Sequence, residues 1–148
     1  DRLTAGQAAV STWNMSSGNP VCGGTPWEGV YCSGTNVLAV SRGGRGFAGA
    51  LAPEFSALTA MTSMQLHKNA LTGTIPSQLS AMASIKKLIV HVNALTGTIP
   101  AQLSTWASMT NLDIGGNALT GTIPAQLSTM ASLRNLDLPG NALTGTIP

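Results

Sequence analysis

An eight-residue phrase recurs at a fixed interval and constrains what this chain can fold into. Asn-Ala-Leu-Thr-Gly-Thr-Ile-Pro occurs four times without change, beginning at Asn69, Asn93, Asn117 and Asn141. Each copy starts 24 residues after the one before it. A constant period of this size is typical of a solenoid, in which coils stack and no coil is stable by itself.

Apolar side chains recur in columns at the same interval. Leu112 and Ile114 flank one polar residue, the alternation of a short strand with one buried face. The proline that closes each phrase fixes φ and lacks an N–H, so the far side of the coil should be irregular, with one or two 3₁₀ or α turns at most. We therefore predict an α/β solenoid with a parallel sheet on one side and a core shared between coils.

The asparagine column is predicted to lie inside the bend that follows each strand. A side-chain amide both donates and accepts hydrogen bonds, so it can satisfy turn backbone groups that no strand partner reaches. We assign Asn69, Asn93, Asn117 and Asn141 to this structural ladder and not to ligand binding.

These columns resemble the plant-type leucine-rich repeat, whose pattern is LxxLxLxxNxLxGxIP. Residues 133–148 match the pattern at every defined position, and the resemblance extends over residues 46–148. The family includes plant receptor-kinase ectodomains and cell-wall inhibitor proteins, and similar repeats occur in protist surface antigens. The resemblance implies a right-handed superhelix with its sheet on the concave face. It also implies an extracellular, non-enzymatic recognition domain.

Residues 1–36 resemble the N-terminal cap of the same family. Cys22 and the phrase W-x-G-V-x-C that ends at Cys32 carry the likeness, and a short amphipathic helix is predicted over Asp1 to Trp13. The resemblance implies a Cys22–Cys32 disulfide, which belongs to an oxidising compartment. Reduced or metal-bound cysteines are the alternative, although no histidine lies near them in the sequence. Asn14 begins an Asn-x-Ser sequon, a candidate glycosylation site.

Residues 37–148 are assigned to about five coils, the first of which is irregular. Counting back 24 residues from Met64 and Leu66 places Val40 and Arg42 inward. We favour Leu38 and Val40 as the inward pair, with residues 43–46 as a loop, because this keeps the arginine out of the core. The sequence ends on a repeat without a polar cap, so we expect a longer parent chain. An open end also makes end-to-end self-association in a structural surface coat an alternative function.

The concave sheet carries side chains that differ between coils, whereas the eight-residue phrase is constant. This contrast is expected of a recognition surface on a fixed scaffold, although drift of exposed positions would also produce it. The lysines make the middle of the face basic, so a protein, an acidic peptide or an anionic glycan is the expected partner. The candidate ligand-binding residues are Gln65, His67, Lys68, Lys86, Lys87, Ile89, His91, Val92, Asp113, Arg134 and Asp137.

The sequence gives little support for a catalytic site or a metal-binding site. His67 and His91 occupy equivalent positions in successive coils and would lie about 5 Å apart across neighbouring strands, but a third metal ligand is missing. Asp113 and Asp137 form a similar pair, at about the separation of retaining glycosidase carboxylates, on a surface too shallow to bury one of them. We expect no enzyme, no metal and no cofactor.

Bulk properties exclude two further classes of partner. Only 8% of residues are charged and the formal net charge is +2, so the sequence lacks the strongly basic character that nucleic-acid binding requires. No run reaches the ~20 apolar residues of a membrane helix. The paired threonines of each phrase, Thr72 and Thr74 in the first copy, form regular columns that leave ice binding as a third hypothesis.

Overall fold

The computed structural model describes Cys22 and residues 28–147, which form eleven short strands and four 3₁₀ helices. The strands are β1 (Val30–Ser33), β2 (Asn36–Ser41), β3 (Ala48–Ala50), β4 (Ser63–Gln65), β5 (Ala70–Thr72), β6 (Lys87–Ile89), β7 (Thr96–Gly97), β8 (Asn111–Asp113), β9 (Ala118–Thr122), β10 (Asn135–Asp137) and β11 (Ala142–Thr144). The 3₁₀ helices are Pro53–Ala57, Ser77–Ala81, Ala101–Thr105 and Ala125–Thr129. The predicted helix over residues 1–13 and the Asn14 sequon lie outside the described residues.

A six-stranded sheet joins the coils in the order β1-β2-β4-β6-β8-β10. The first two strands are antiparallel, and every later strand pairs in parallel with the strand of the preceding coil. Met64 pairs with Leu88, and Leu88 pairs with Leu112, so the strand register repeats the 24-residue period of the sequence. The predicted solenoid with a parallel sheet is confirmed.

The apolar columns fill one continuous core between this sheet and the 3₁₀ helices. Leu66, Val90 and Ile114, one from each of three successive coils, are completely buried. Trp106 is also buried, and its Nε1 donates a hydrogen bond to the Leu79 backbone oxygen at 3.0 Å. Burial of about 0.8 kcal/mol per CH₂ makes this shared interior the main stabilising term.

A second set of strands, which the sequence did not predict, follows the bend in each coil. β3 pairs with β5, and β7, β9 and β11 form a further ladder, all in parallel. A single bridge between Thr74 and Thr96 continues this pairing between β5 and β7. The far side of the solenoid is therefore part strand and part 3₁₀ helix. The Ala-Leu-Thr-Gly-Thr segment contains a glycine, a poor strand former, which hides this ladder from sequence analysis.

The predicted register of the first coil was wrong. Val40 pairs with Met64, the same offset as in later coils, so Arg42 takes the column of Leu66 while Leu38 is only half-buried. The backbone explains this, since the Arg42 N–H donates to the Gln65 oxygen at 2.8 Å and the Gly44 N–H to the His67 oxygen at 2.9 Å, so the turn after β2 contains no extra residues. The arginine is tolerated because the first coil is the edge of the core. Its guanidinium reaches out to Glu28, with Nη1 3.5 Å from Oε2.

The N-terminal cysteines form the disulfide that the family resemblance implied. Cys22 and Cys32 are bonded with a Cα–Cα distance of 5.7 Å, and both pack against the core beside β1. No helix in the described part of the chain is both long and apolar enough to cross a bilayer.

Candidate functional site

The asparagine ladder holds the end of each concave strand in place. Asn93 Oδ1 accepts a hydrogen bond from the Leu71 N–H at 3.0 Å, and its Nδ2 donates to the Leu66 and Val90 oxygens at 3.0 and 2.9 Å. Asn117 repeats these contacts one coil later and shares the Val90 oxygen at 3.1 Å. Each amide therefore ties its own coil to the preceding one, which fixes the positions of the residues just after each strand.

The predicted ligand-binding residues all lie on or beside the strands of the six-stranded sheet. We call this surface the concave face. Lys87 and Ile89 lie on β6, and His91 follows at the same two-residue spacing, so their side chains share one face. Lys68, Lys86, Lys87, Val92, Arg134 and Asp137 are exposed, whereas Gln65, His67, Ile89, His91 and Asp113 are half-buried.

Two imidazoles and a carboxylate form a row across three coils. The rings of His67 and His91 stack with centroids 4.8 Å apart and planes 27° from parallel. His91 Nδ1 lies 2.7 Å from Asp113 Oδ2, a distance that indicates a charge-assisted hydrogen bond when the ring is protonated. Gly43 forms the other end of the row, because a Cβ built there would lie 2.3 Å from His67 Nε2.

This row changes how readily His67 takes up a proton. Burial lowers the pKa of His67 below 6.5, and the nearby His91 and Lys68 charges lower it further against the opposing effect of Asp113. The Nδ1 atom of His67 is buried and has no hydrogen-bond partner among the described residues. Protonation of His67 is thus disfavoured, and its ring lies against Gly43, a close approach that the sequence does not indicate.

The two aspartates of the predicted pair occupy neighbouring strands in register, Asp137 beside Asp113. Their Oδ1 atoms lie 3.7 and 3.8 Å from a Cβ built on Gly115, so both carboxylates border the same glycine. Asp113 already engages His91, and Asp137 is exposed. Among the described residues no cluster of three or more His, Cys, Asp or Glu side chains is arranged to hold a metal ion.

The residue before each ladder asparagine has left-handed backbone geometry. Gly116 and Gly140 occupy this position with φ of 58° and 74°, and Gly44 holds the equivalent position before Arg45 in the first coil with φ of 64°. Lys68 and Val92 occupy it in the two central coils, both with φ of 54°. A β-branched side chain is rarely found in this region of φ/ψ space. The sequence indicates this left-handed geometry, because glycine occupies the same position in three of the five coils and Lys or Val replaces it in the other two.

A second surface lies on the β5, β7, β9 and β11 strands, and we call it the threonine face. Its exposed columns are alanine and threonine, and the eight-residue phrases that build it contain no charged residue. Thr96 and Thr120 are exposed, and their Oγ1 atoms each donate to a glycine oxygen of the preceding coil at 3.3 Å. This face is uniform along the solenoid, in contrast to the concave face.

Comparison with known proteins identifies the class of protein that this fold defines. A family model described as Leucine rich repeat matches residues 83–143. A chain of the BIR3–SERK2 complex from Arabidopsis thaliana is 32% identical, with a TM-score of 0.82 over 99% of this chain and 80% of that one. The chain belongs to the leucine-rich-repeat family and has the plant-type ectodomain fold.

Two further solved structures show what proteins of this fold bind. The ectodomain of GASSHO1/SCHENGEN3 from Arabidopsis thaliana, in complex with CASPARIAN STRIP INTEGRITY FACTOR 2, is 38% identical with a TM-score of 0.80 over 82% of this chain and 15% of that one. A plant ice-binding protein is 30% identical with a TM-score of 0.79 over 95% of this chain and 46% of that one. The chain spans only 5 to 9% of the length of the curated plant proteins that it matches.

Proposed function

We propose that this chain is an extracellular recognition module that binds a peptide or a protein segment through its concave face, without catalysis. One observation carries the proposal. Four coils share an identical eight-residue phrase, yet the equivalent concave positions Gln65, Ile89 and Asp113 differ in charge and polarity, and only the last coil repeats a residue, with Asp137 beside Asp113. A scaffold held constant beneath a varied surface is the arrangement that selective binding requires.

Two findings support the location and the class of ligand. The Cys22–Cys32 disulfide suits an oxidising, extracytoplasmic environment. The structural neighbours include a plant receptor ectodomain in complex with CASPARIAN STRIP INTEGRITY FACTOR 2, and RGFR1, which is named as a peptide hormone receptor. A linear segment crossing the strands would meet Gln65, Ile89 and Asp113 in turn.

Selection from a library of random linear peptides tests the proposal. The chain should retain a subset of peptides, and Lys87→Glu should abolish that retention because it reverses the charge at the centre of the concave face. The matched control is Gln78→Glu with Gln102→Glu, which changes the net charge by the same amount at exposed positions of the 3₁₀ helices. Peptides retained equally by Lys87→Glu, or no retention at all, would refute concave-face recognition.

Ice binding is a second candidate because one specific observation favours it. The threonine face presents uncharged, regularly spaced hydroxyl and methyl groups on parallel strands, and a plant ice-binding protein shares 30% identity over 95% of this chain. Thermal hysteresis and ice-crystal shape provide the test. We expect Thr98→Lys with Thr122→Lys to remove both effects, whereas Lys87→Glu leaves them unchanged. Absence of hysteresis in the unaltered chain would eliminate this candidate.

A further inference from the structure

The third coil places two apolar side chains at the centre of an otherwise polar concave face. Ile89 is half-buried on β6, and Val92 follows the strand with 52% of its surface exposed. Among the described residues, the other large exposed hydrophobic side chains are Tyr31 and Ile147, which lie outside this part of the sheet. One half-buried and one exposed aliphatic side chain are therefore concentrated in one coil.

The backbone of Val92 shows that this side chain is not there for the sake of the fold. Its φ of 54° lies in the left-handed region, where the equivalent Gly44, Gly116 and Gly140 have no side chain to strain. Val92 also gains little burial in return, since more than half of its surface remains in solvent. Strained residues of this kind cluster at functional sites, where the position of the side chain is needed for binding.

The packing of the next coil keeps the Val92 side chain in place. A Cβ built on Gly116 would lie 3.3 Å from Val92 Cγ2, so the glycine of the fourth coil accommodates the valine. On the preceding side, the Lys68 N–H donates to the His91 oxygen at 2.9 Å and the Asn69 N–H donates to the Val92 oxygen at 3.2 Å. The backbone around Val92 is thus fixed by hydrogen bonds from the preceding coil, and the absence of a side chain at Gly116 leaves space for the valine in the following coil.

Cations flank this apolar pair on two sides, in the preceding coil and at the start of its own coil. Lys68, Lys86 and Lys87 are exposed, and none of them makes an ion pair with any residue that the structure describes. The nearest carboxylate on the same face, Asp113, is already engaged by His91 at 2.7 Å. An apolar centre with a charged, solvated rim is the usual organisation of a binding hot spot.

We infer that Ile89 and Val92 form an anchor site for an apolar side chain of an acidic peptide, whose flanking carboxylates pair with Lys68, Lys86 and Lys87. The inference rests on the proposed function and adds to it the chemistry of the ligand. The apolar contact supplies affinity, and the lysines supply selectivity and a salt-dependent association rate.

The peptide-library selection tests this inference through the sequences that it enriches. We expect Asp or Glu within a few residues of an aliphatic or aromatic side chain in most retained peptides. Val92→Thr should weaken their binding about tenfold or more, because the isosteric hydroxyl cannot occupy an apolar contact without losing water. Val92→Ile should retain binding, since it preserves both the branched shape and the apolar surface.

Stability separates a binding role from a structural one. Val92→Gly should leave the melting temperature unchanged or raise it, because glycine relieves the left-handed strain, while it removes peptide binding. A fall in melting temperature together with unchanged affinity would overturn the inference and make Val92 a structural residue.

The remaining outcomes distinguish the inference from the proposed function. Peptides that depend on Lys87 but are basic or uncharged, or that ignore Val92, would overturn the anchor site and leave concave-face recognition standing. Retention on immobilised heparin without any peptide enrichment would assign the lysines to an anionic glycan and overturn the inference. Peptides indifferent to both Lys87 and Val92 would overturn the inference and the proposed function together.

Discussion

The asparagine ladder yields the sharpest prediction about stability, because the hydrogen bonds lost in each variant can be counted. In Asn93→Ala the buried Leu71 N–H loses the Oδ1 acceptor that lies 3.0 Å away. The Leu66 and Val90 oxygens each lose one amide donor but keep a second, from Asn69 and Asn117 respectively. One orphaned N–H at about 1–3 kcal/mol and two lost bonds at about 0.5–1.5 kcal/mol each predict a cost of about 2–6 kcal/mol.

The shared oxygen predicts that two such substitutions will not be additive. Asn93 and Asn117 both donate to the Val90 oxygen, at 2.9 and 3.1 Å. In the double variant Asn93→Ala with Asn117→Ala, that buried oxygen loses both donors, so the double cost should exceed the sum of the single costs by about 1–3 kcal/mol. Asn69→Ala with Asn117→Ala is the matched pair, because these amides share no oxygen, and it should be additive.

Urea denaturation of the single and double variants, monitored by circular dichroism, supplies the four free energies of unfolding that each cycle requires. Asn135→Ala is the control for asparagine loss as such, since this residue is exposed on β10, and it should cost less than about 0.5 kcal/mol. A coupling energy near zero for Asn93 and Asn117, equal to that of the control pair, would refute the view that the ladder ties neighbouring coils through shared carbonyls.

Three further predictions concern single residues. Trp106→Phe should lower the free energy of unfolding by about 2–3 kcal/mol, because it leaves a cavity and removes the 3.0 Å bond to Leu79, and denaturant titration measures this. Arg42→Leu should be neutral or stabilising by about 1 kcal/mol in the same assay, since it replaces a charge in the core column with an apolar group. The lowered pKa of His67 means that the unfolded chain takes up its proton first as pH falls, so stability should decline from about pH 6.5 down to the folded-state pKa and then level off. Thermal melts across this range should show a shallower decline in His67→Gln, and an unchanged slope would contradict the assignment.

The sequence determines most of the scaffold because the scaffold is repetitive. A 24-residue period, a buried aliphatic column and an asparagine in the bend each recur four times, so an error in reading one coil is corrected by its neighbours. The parallel sheet, the 3₁₀ helices and the disulfide followed from this repetition and from the family resemblance. The register prediction fails in the first coil, where the repetition ends, and the strand ladder that follows the bend goes unpredicted even within the repeats.

The first coil shows why register cannot be read from polarity alone. An arginine in a core column is costly in the middle of a solenoid, so polarity alone favours Leu38 over Arg42 as the inward residue. At the edge, the long side chain keeps its aliphatic part among apolar groups, 5.2 Å from the Phe47 ring centroid, while its charged end meets Glu28. Backbone pairing fixed the register, and the side chain adapted to it.

The site was predicted as a set of residues but not as a geometry. Strand alternation and the 24-residue period are enough to predict which residues lie on the concave face. The stacking of His67 on His91, the wall at Gly43 and the left-handed φ of Val92 depend on rotamers and turn geometry that spacing does not encode. Spacing predicts only a mildly basic surface, whereas the structure has an apolar centre with lysines on two sides of it.

The most direct test of concave-face recognition is a map of the backbone amides that a library-selected peptide protects from hydrogen–deuterium exchange. Concave-face recognition predicts protection over residues 62–68 and 86–92, where the lysines, the two imidazoles and Val92 lie, and no change over residues 118–122 on the threonine face. Protection confined to the threonine face, or none on the concave strands, would contradict it.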